Sequence, residues 1–203
     1  MKILALTAVN LNSKYLSCVP YFIDFWLSLK PERRSITYVP KVMVMADSLP
    51  KELESYKQWC EVFPLDSTIP SAFGSQAVRI LQPSLESADY VLTTDVDMLP
   101  LSDRVFQAAL DEVEAGVQFV VCRDVLPKGQ YAICYNLASP NAWREVSGIK
   151  SLEEVHSSLI EMLKRIPEGG NYSGDHGGDG WFTDQEVLFS MVNDFEAKGG
   201  RVA

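Results

Sequence analysis

The chain has 203 residues, 47% of them hydrophobic, which is enough for one large domain with a single hydrophobic core. Its 18 basic and 27 acidic residues give a formal net charge of −9, which argues against nucleic acid or an anionic membrane as the main partner. The four cysteines lack CxxC spacing and lie in apolar runs, so we expect reduced thiols and a cytoplasmic protein. We expect no membrane span, because no apolar run has the necessary length.

The first part of the chain alternates predicted strands and helices. Residues 2–9 are apolar enough for a buried parallel strand, and the polar turn over 10–13 supplies a helix cap. A helix follows over about 14–29, and then a strand over 36–45 in which Pro40 indicates an edge segment. The next expected elements are a short helix over 50–56, a strand over 60–64 and a helix over 71–85.

A strand that carries acid at its end is the centre of the chain. The run over 90–94 is rich in β-forming residues and leads into two carboxylates, Asp95 and Asp97, before Pro100 breaks the strand. Carboxylates one residue apart repel each other, and ligands bind beyond the carboxyl ends of strands in open α/β sheets. We therefore expect a divalent cation between this pair and a ligand, the alternative being an exposed acidic turn after a core strand.

The second part of the chain predicts shorter elements and one long loop. The residues over 168–181 are rich in glycine, and a loop of this length between helices is more often functional than a linker. A last helix begins at Thr183 and carries Asp184 and Gln185 in its first turn. The other expected elements are a helix over 103–113, strands over 118–122 and 131–137, and helices over 141–146 and 151–165.

This order of elements indicates an α/β fold. We expect a Rossmann-type, mainly parallel central sheet flanked by helices, with a small antiparallel extension. Three polar elements should then meet beyond the carboxyl ends of the strands: the turn after Val9, the Asp95 and Asp97 pair, and the glycine-rich loop with the helix of Asp184.

The motifs, in this order, resemble those of glycosyltransferases of the GT-A fold. A segment RILQP that starts at Arg79, a strand, and then Asp95-Val96-Asp97 are similar to that family's nucleotide-contacting basic residue, strand and DxD motif. The segment DQEVLF from Asp184 is similar to the family's later Asp-Gln segment, and WRE from Trp143 to a segment between them. The likeness runs from about residue 2 to 193. The compact size also resembles the first domain of a multidomain chlorella-virus glycosyltransferase.

The resemblance implies that residues 1–203 form one GT-A-like glycosyltransferase domain. Its activity would be metal-dependent, hexosyl-type transfer from a nucleotide sugar, expected to be UDP-linked, to a hydroxyl of a glycan acceptor. Mn²⁺ or Mg²⁺ held by Asp97, with Asp95 touching the metal or the ribose, would neutralise the diphosphate. Asp184 would face the sugar or acceptor and is the candidate general base if the reaction inverts the anomeric carbon.

The resemblance also implies a set of residues that bind the nucleotide sugar. We expect the turn after the first strand to meet the base, Arg79 to lie near the base or ribose, and His176 either to contact the ligand or to remain a solvated loop histidine. Trp181 would either stack on a sugar ring or pin the loop to the core. The full set is Thr7, Ala8, Asn10, Arg79, Asp95, Gln185 and His176.

Two departures from the family pattern affect the expected chemistry. Retaining, glycogenin-like members often have an Asn-x-Gly element where this chain has Ala132-Ile133-Cys134. This departure leaves the donor sugar and the stereochemistry of the transfer open. Many members also use a late histidine as a metal ligand, and the last residues of this chain contain none. Either His176 replaces it, or a carboxy-terminal part lies beyond this chain.

Two other functions are open on the sequence alone. An aspartyl phosphatase also ends an apolar strand in DxD, with Asp95 as nucleophile, but Leu99 stands where such enzymes have Thr or Val and the motif lies in mid-chain. A calcium-binding, non-enzymatic domain is the other, although Gly177 at the third loop position offers no side-chain oxygen. The residues that match an EF-hand loop are Asp175, Asp179, Gly180 and Glu186.

Overall fold

The computed structural model describes residues 1–123, 125–166, 172, 174 and 177–203. Two 3₁₀ helices, Lys51–Trp59 and Gln82–Leu85, accompany the strands and α-helices of this part of the chain. The strands are β1 (Lys2–Val9), β2 (Thr37–Met45), β3 (Cys60–Phe63), β4 (Tyr90–Thr93), β5 (Phe119–Val121) and β6 (Asn136–Ala138). The α-helices are α1 (Ser13–Leu16), α2 (Val19–Ser28), α3 (Ser71–Leu81), α4 (Arg104–Glu114), α5 (Pro140–Ser147), α6 (Leu152–Leu163) and α7 (Thr183–Ala197).

The strands of the described residues form one sheet in the order β3-β2-β1-β4-β6-β5. The first four of these strands are parallel, whereas β6 runs antiparallel to both β4 and β5. The predicted fold, a mainly parallel sheet flanked by helices with a small antiparallel extension, is confirmed. Because β6 is reversed, β5 again runs in the direction of β4, and its carboxyl end lies at the same edge of the sheet.

Both faces of the sheet are covered by helices, which explains why β1 is apolar along its whole length. Successive side chains of a strand point to opposite faces. Leu4 and Leu6 pack in the cluster that contains buried residues of α3, α5, α6 and α7, and Ile3 and Ala5 pack in the cluster of α2 and α4. Helices therefore pack against both faces of the sheet and fix the position of the strand ends.

Two predicted elements are wrong in their extent. The helix expected over 14–29 is divided into α1 and α2, because Pro20 lacks an N–H and is tolerated only in the first turn of α2. The strand expected over 131–137 is limited to β6. The carbonyl oxygen of Ile133 instead accepts hydrogen bonds from the side chains of Thr93 and Asn136, the latter at 2.7 Å, so the chain before β6 is not extended along β4.

The expectation for Pro40 is confirmed. β3 pairs with the second half of β2 only, from Val42 to Met45, so the part of β2 that contains Pro40 has no strand on its outer side. A missing N–H costs no ladder hydrogen bond there. In the described part of the chain, no helix combines the length and the apolar character needed to cross a membrane.

Candidate functional site

The site lies where the strand order of the sheet reverses. From β1 the chain moves outward through β2 and β3, and it then returns to place β4 on the other side of β1. In open α/β sheets this reversal leaves a crevice at the carboxyl ends of the strands, where ligands bind. A cavity of about 290 Å³ lies at the ends of β1 and β4. The cavity is lined by these residues of the predicted site: Ala8, Asn10, Arg79, Asp95, Asp97, Asp184 and Gln185.

A buried arginine joins the acidic end of β4 to the start of α7. Arg79, on α3, is 8% exposed, and its Nη1 donates to Oδ1 of Asp95 and to the carbonyl oxygen of Thr94 at 3.4 Å. Its Nη2 lies 3.7 Å from Oδ2 of Asp184. The guanidinium therefore lies between two carboxylates from distant parts of the chain and offsets their mutual repulsion.

These two carboxylates differ in their affinity for a proton. Burial raises the pKa of Asp184 to about 6, although the charge of Arg79 and a backbone hydrogen bond act in the opposite direction. Burial acts in the same way on Asp95, but Arg79, the Cys134 thiol and Arg123 outweigh it, so the pKa of Asp95 lies below its ordinary value. Both groups are ionised at pH 7.5, and Asp184 is the stronger base.

Asp97 is the carboxylate of the pair that is available to a ligand. It is exposed, and it has no hydrogen bond or ion pair with any residue that the structure describes. One oxygen of Asp95 is engaged by Arg79, and both residues line the cavity. Carboxylate oxygens suit Mn²⁺ and Mg²⁺, so the pair fits a hard divalent cation.

Two protein ligands would leave further positions around such a cation. Among the described residues, no three His, Cys, Asp or Glu side chains are grouped so that they could hold a metal. Water and ligand oxygens commonly complete the coordination of Mg²⁺ where the protein supplies one or two carboxylates.

Two of the predicted site residues are not part of the described cavity wall. Thr7 is fully buried, and its hydroxyl has no hydrogen-bond partner among the residues described. Strand alternation turns its side chain toward the face that carries Ile3 and Ala5, so only the end of β1 reaches the cavity. His176, predicted as a ligand contact, lies outside the described residues. Trp181 does line the cavity.

Arg123, Cys134 and Tyr172 are among the wall residues that the sequence reasoning missed. Arg123 lies two residues after the end of β5, and Cys134 lies two residues before β6. Tyr172 donates a hydrogen bond to Oε1 of Gln76 and packs edge-on against Phe73 at 5.4 Å between ring centroids. A basic residue two positions after an apolar strand was a readable signal, because the carboxyl end of β5 lies at the same edge as that of β4.

The thiol of Cys134 is a neutral group of this wall. Burial raises its pKa to about 12, and the nearby carboxylate of Asp95 acts in the same direction. Cys134 is 4% exposed, and its Sγ lies 3.3 Å from Sδ of Met98. The thiol therefore stays protonated and adds no negative charge beside Asp95 and Asp97.

Solved structures of glycosyltransferases share this fold. No protein-family model matches the sequence, and no curated protein does. The glycosyltransferase GlyE of Streptococcus pneumoniae TIGR4 matches with a TM-score of 0.53 and 15% identity, over 100% of this chain and 45% of the GlyE chain. Mouse xyloside xylosyltransferase 1 matches with a TM-score of 0.52 and 11% identity, over 100% of this chain and 85% of the other.

The chain spans less than half the length of the GlyE chain that it matches. At these identities the likeness concerns the backbone, and it agrees with the strand order and the flanking helices described above. The chain therefore has a GT-A-like fold, similar to that of GlyE and of xyloside xylosyltransferase 1.

Proposed function

We propose that this chain is a metal-dependent glycosyltransferase that moves a sugar from a nucleotide donor, a UDP-sugar, to a hydroxyl of a glycan acceptor. One observation carries the proposal. The Asp95 and Asp97 pair, Arg79 and Asp184 meet around one cavity at the reversal point of a GT-A-like sheet. The phosphatase and calcium-binding alternatives have no such support from the fold, and the similar structures favour the transferase.

The proposed metal is Mn²⁺ or Mg²⁺, held by Asp97 and the free side of Asp95. When bound, such an ion supplies positive charge that stabilises a diphosphate leaving group. The contribution of the chain is to hold the two carboxylates in place. Arg79 does so for Asp95, to which its Nη1 donates a hydrogen bond.

The proposed donor site lies between the end of β1 and the start of α7. Ala8 and Asn10 line the cavity from β1, and Tyr15 lines it from α1, which supports a base-binding role for this side. Gln185 lines it from α7, and its Oε1 is buried without a hydrogen-bond partner in the described residues. An unpaired buried oxygen is costly, and a hydroxyl of the donor would satisfy it.

Asp184 is the proposed general base if the transfer inverts the anomeric carbon. Its carboxylate is 3% exposed and faces Arg79, and its raised pKa of about 6 is close to the range in which general bases work best. An acceptor hydroxyl bound in the cavity would give its proton to a carboxylate oxygen of Asp184. Trp181, which lines the same cavity, is the proposed surface on which a sugar ring stacks.

The test is thermal stabilisation by nucleotide sugars and by UDP, with and without Mn²⁺. At roughly 100 times the dissociation constant, binding should stabilise the protein by about 2.7 kcal/mol, which corresponds to roughly 5–11 °C for a chain of this size. Asp97→Ala should remove the Mn²⁺-dependent part and leave the unliganded Tm unchanged. Asp47→Ala is the matched control, because Asp47 is an exposed acid that follows β2 outside the cavity wall.

Asp97 is a better test position than Asp95. Removal of Asp95 would leave the buried guanidinium of Arg79 with one of its two carboxylates, so a loss of activity would be mixed with a loss of stability. A protein that no nucleotide sugar stabilises, with or without Mn²⁺, would contradict the proposed function. Trapping of a phosphoryl mimic on Asp95 would favour the phosphatase alternative instead.

A further inference from the structure

Three charged side chains of the described cavity wall form ion pairs with one another, and two do not. Five described residues of the wall are charged: Arg79, Asp95, Asp97, Arg123 and Asp184. The guanidinium of Arg79 is already committed to the carboxylates of Asp95 and Asp184. Asp97 and Arg123 remain, one of each sign, and neither forms an ion pair with a described residue.

The contacts of Arg123 are unusual for a buried or half-buried arginine. Its Nη1 lies 3.2 Å from Sγ of Cys134 and 3.4 Å from Sδ of Met98, and these are the hydrogen bonds that the described residues give it. Thiol and thioether sulfurs are weak acceptors, whereas a guanidinium offers five N–H donors in a planar fork. The cation is therefore in place at the cavity with most of its donor capacity unused.

The position of Arg123 follows from the topology of the sheet. β5 is antiparallel to β6, which is antiparallel to β4, so the chain that follows β5 and carries Arg123 emerges at the edge where Asp95 and Asp97 follow β4. Arg123 and Asp95 line the same cavity. An anion that enters the cavity meets a wall that contains this guanidinium as well as the carboxylates.

We propose that Arg123 binds the diphosphate of the donor through its guanidinium and supplies part of the positive charge that the leaving group requires. This role rests on the proposed function. In it, a positively charged side chain of the protein acts on the diphosphate together with the metal. Arg pairs with phosphate oxygens in bidentate geometry, and those charge-assisted bonds are about twice as strong as neutral ones. The phosphate oxygens replace the two sulfur contacts, and Sγ of Cys134 keeps its contact of 3.3 Å with Sδ of Met98.

The role predicts that the protein prefers a diphosphate even without metal. Binding of UDP, UMP and uridine is measured by calorimetry in EDTA, which removes the contribution of a divalent ion. The unmodified chain should bind UDP at least tenfold more tightly than UMP. Arg123→Gln should weaken UDP binding at least tenfold, about 1.4 kcal/mol, and leave uridine binding unchanged. Arg123→Lys keeps the charge without the planar fork and should restore part of the preference.

Lys128→Gln is the matched control. Lys128 is exposed in the same connection, between β5 and β6, it is not part of the cavity wall, and the substitution removes the same unit of charge. It should leave the ratio of the UDP and UMP affinities unchanged. Urea unfolding of each variant separates a change in binding from a change in stability, because a merely structural arginine would alter the latter and not the UDP to UMP ratio.

The outcomes distinguish this inference from the proposed function. If Arg123→Gln retains the preference for UDP over UMP, the role of Arg123 is wrong and the proposed function stands. If the unmodified chain binds no nucleotide with or without Mn²⁺, the proposed function is wrong, and inorganic pyrophosphate in EDTA decides the inference. Pyrophosphate binding that Arg123→Gln weakens at least tenfold supports the anion site, and absence of pyrophosphate binding overturns it.

Discussion

Replacing Asp184 by asparagine should stabilise the protein at neutral pH while it abolishes transfer. The folded-state pKa of Asp184 is about 6 and its ordinary value is 3.8, because burial penalises the charged form. The native state therefore binds this proton more tightly than the unfolded chain does. Through this group, the free energy of unfolding falls as the pH rises from about 4 through about 6 and is level above that range.

The size of the effect follows from the same shift. At 1.36 kcal/mol per pKa unit, the change from 3.8 to about 6 corresponds to about 3 kcal/mol. Asparagine resembles the neutral carboxyl group in shape and carries no charge, so Asp184→Asn avoids this cost. The variant should be about 3 kcal/mol more stable than the unmodified chain at pH 7.5, and the difference should shrink toward pH 4.

Urea unfolding at several pH values between 4 and 8 measures both the size and the pH dependence. Asp194→Asn is the matched control, since Asp194 is an exposed residue of the same helix, and its effect should stay within about 0.5 kcal/mol at every pH. The Asp184→Asn protein should still bind UDP, because the proposed base acts on the acceptor. Equal stability of the two proteins at pH 7.5, or a difference that grows toward pH 4, would refute the reasoning.

Three further predictions concern the other parts of the structure. Asp97→Ala should lose the Mn²⁺-dependent stabilisation by UDP with an unchanged Tm in EDTA, and a Tm several degrees lower would show that this carboxylate is structural. Ser139→Ala should cost about 1 kcal/mol in urea unfolding, because its hydroxyl accepts from the N–H of Ala142 at the start of α5; an unchanged midpoint would contradict the cap. Tyr172→Phe, which removes the hydrogen bond to Gln76, should cost about 1 kcal/mol by the same measurement and weaken donor binding, and a variant identical to the unmodified chain in both would exclude this contact from the site.

The sheet and the approximate location of the site were predictable from local patterns. Strands buried on both faces are continuous apolar runs, so β1 has the predicted bounds of residues 2–9. The acidic end of β4 was predictable because strand propensity, the Asp95 and Asp97 pair and Pro100 all lie within a few residues. Ligands bind at the carboxyl ends of strands in such sheets, and this rule predicts that motifs far apart in the sequence meet at one edge of the sheet.

The pairing within the site was not predictable from the sequence. The place of Arg79 near the base or ribose stays a prediction, whereas the ion pairs of its guanidinium with Asp95 and Asp184 had no signal in the sequence. These ion pairs depend on how α3 packs across the sheet, and no local sequence pattern encodes that packing. The chain before β6 was misread because the side chains of Thr93 and Asn136 take the carbonyl oxygen that a neighbouring strand would otherwise bond.

The position of Arg79 has a consequence for how the protein unfolds. Its side chain holds together a helix from the first half of the chain, the loop beyond the central strand, and a helix near residue 184. Separation of any one of these three elements removes contacts of the buried guanidinium. The walls of the cavity should therefore open only in the same cooperative event that disrupts the sheet, and amide hydrogens of Thr94 and of the first turn after Asp184 should exchange with solvent at closely similar rates.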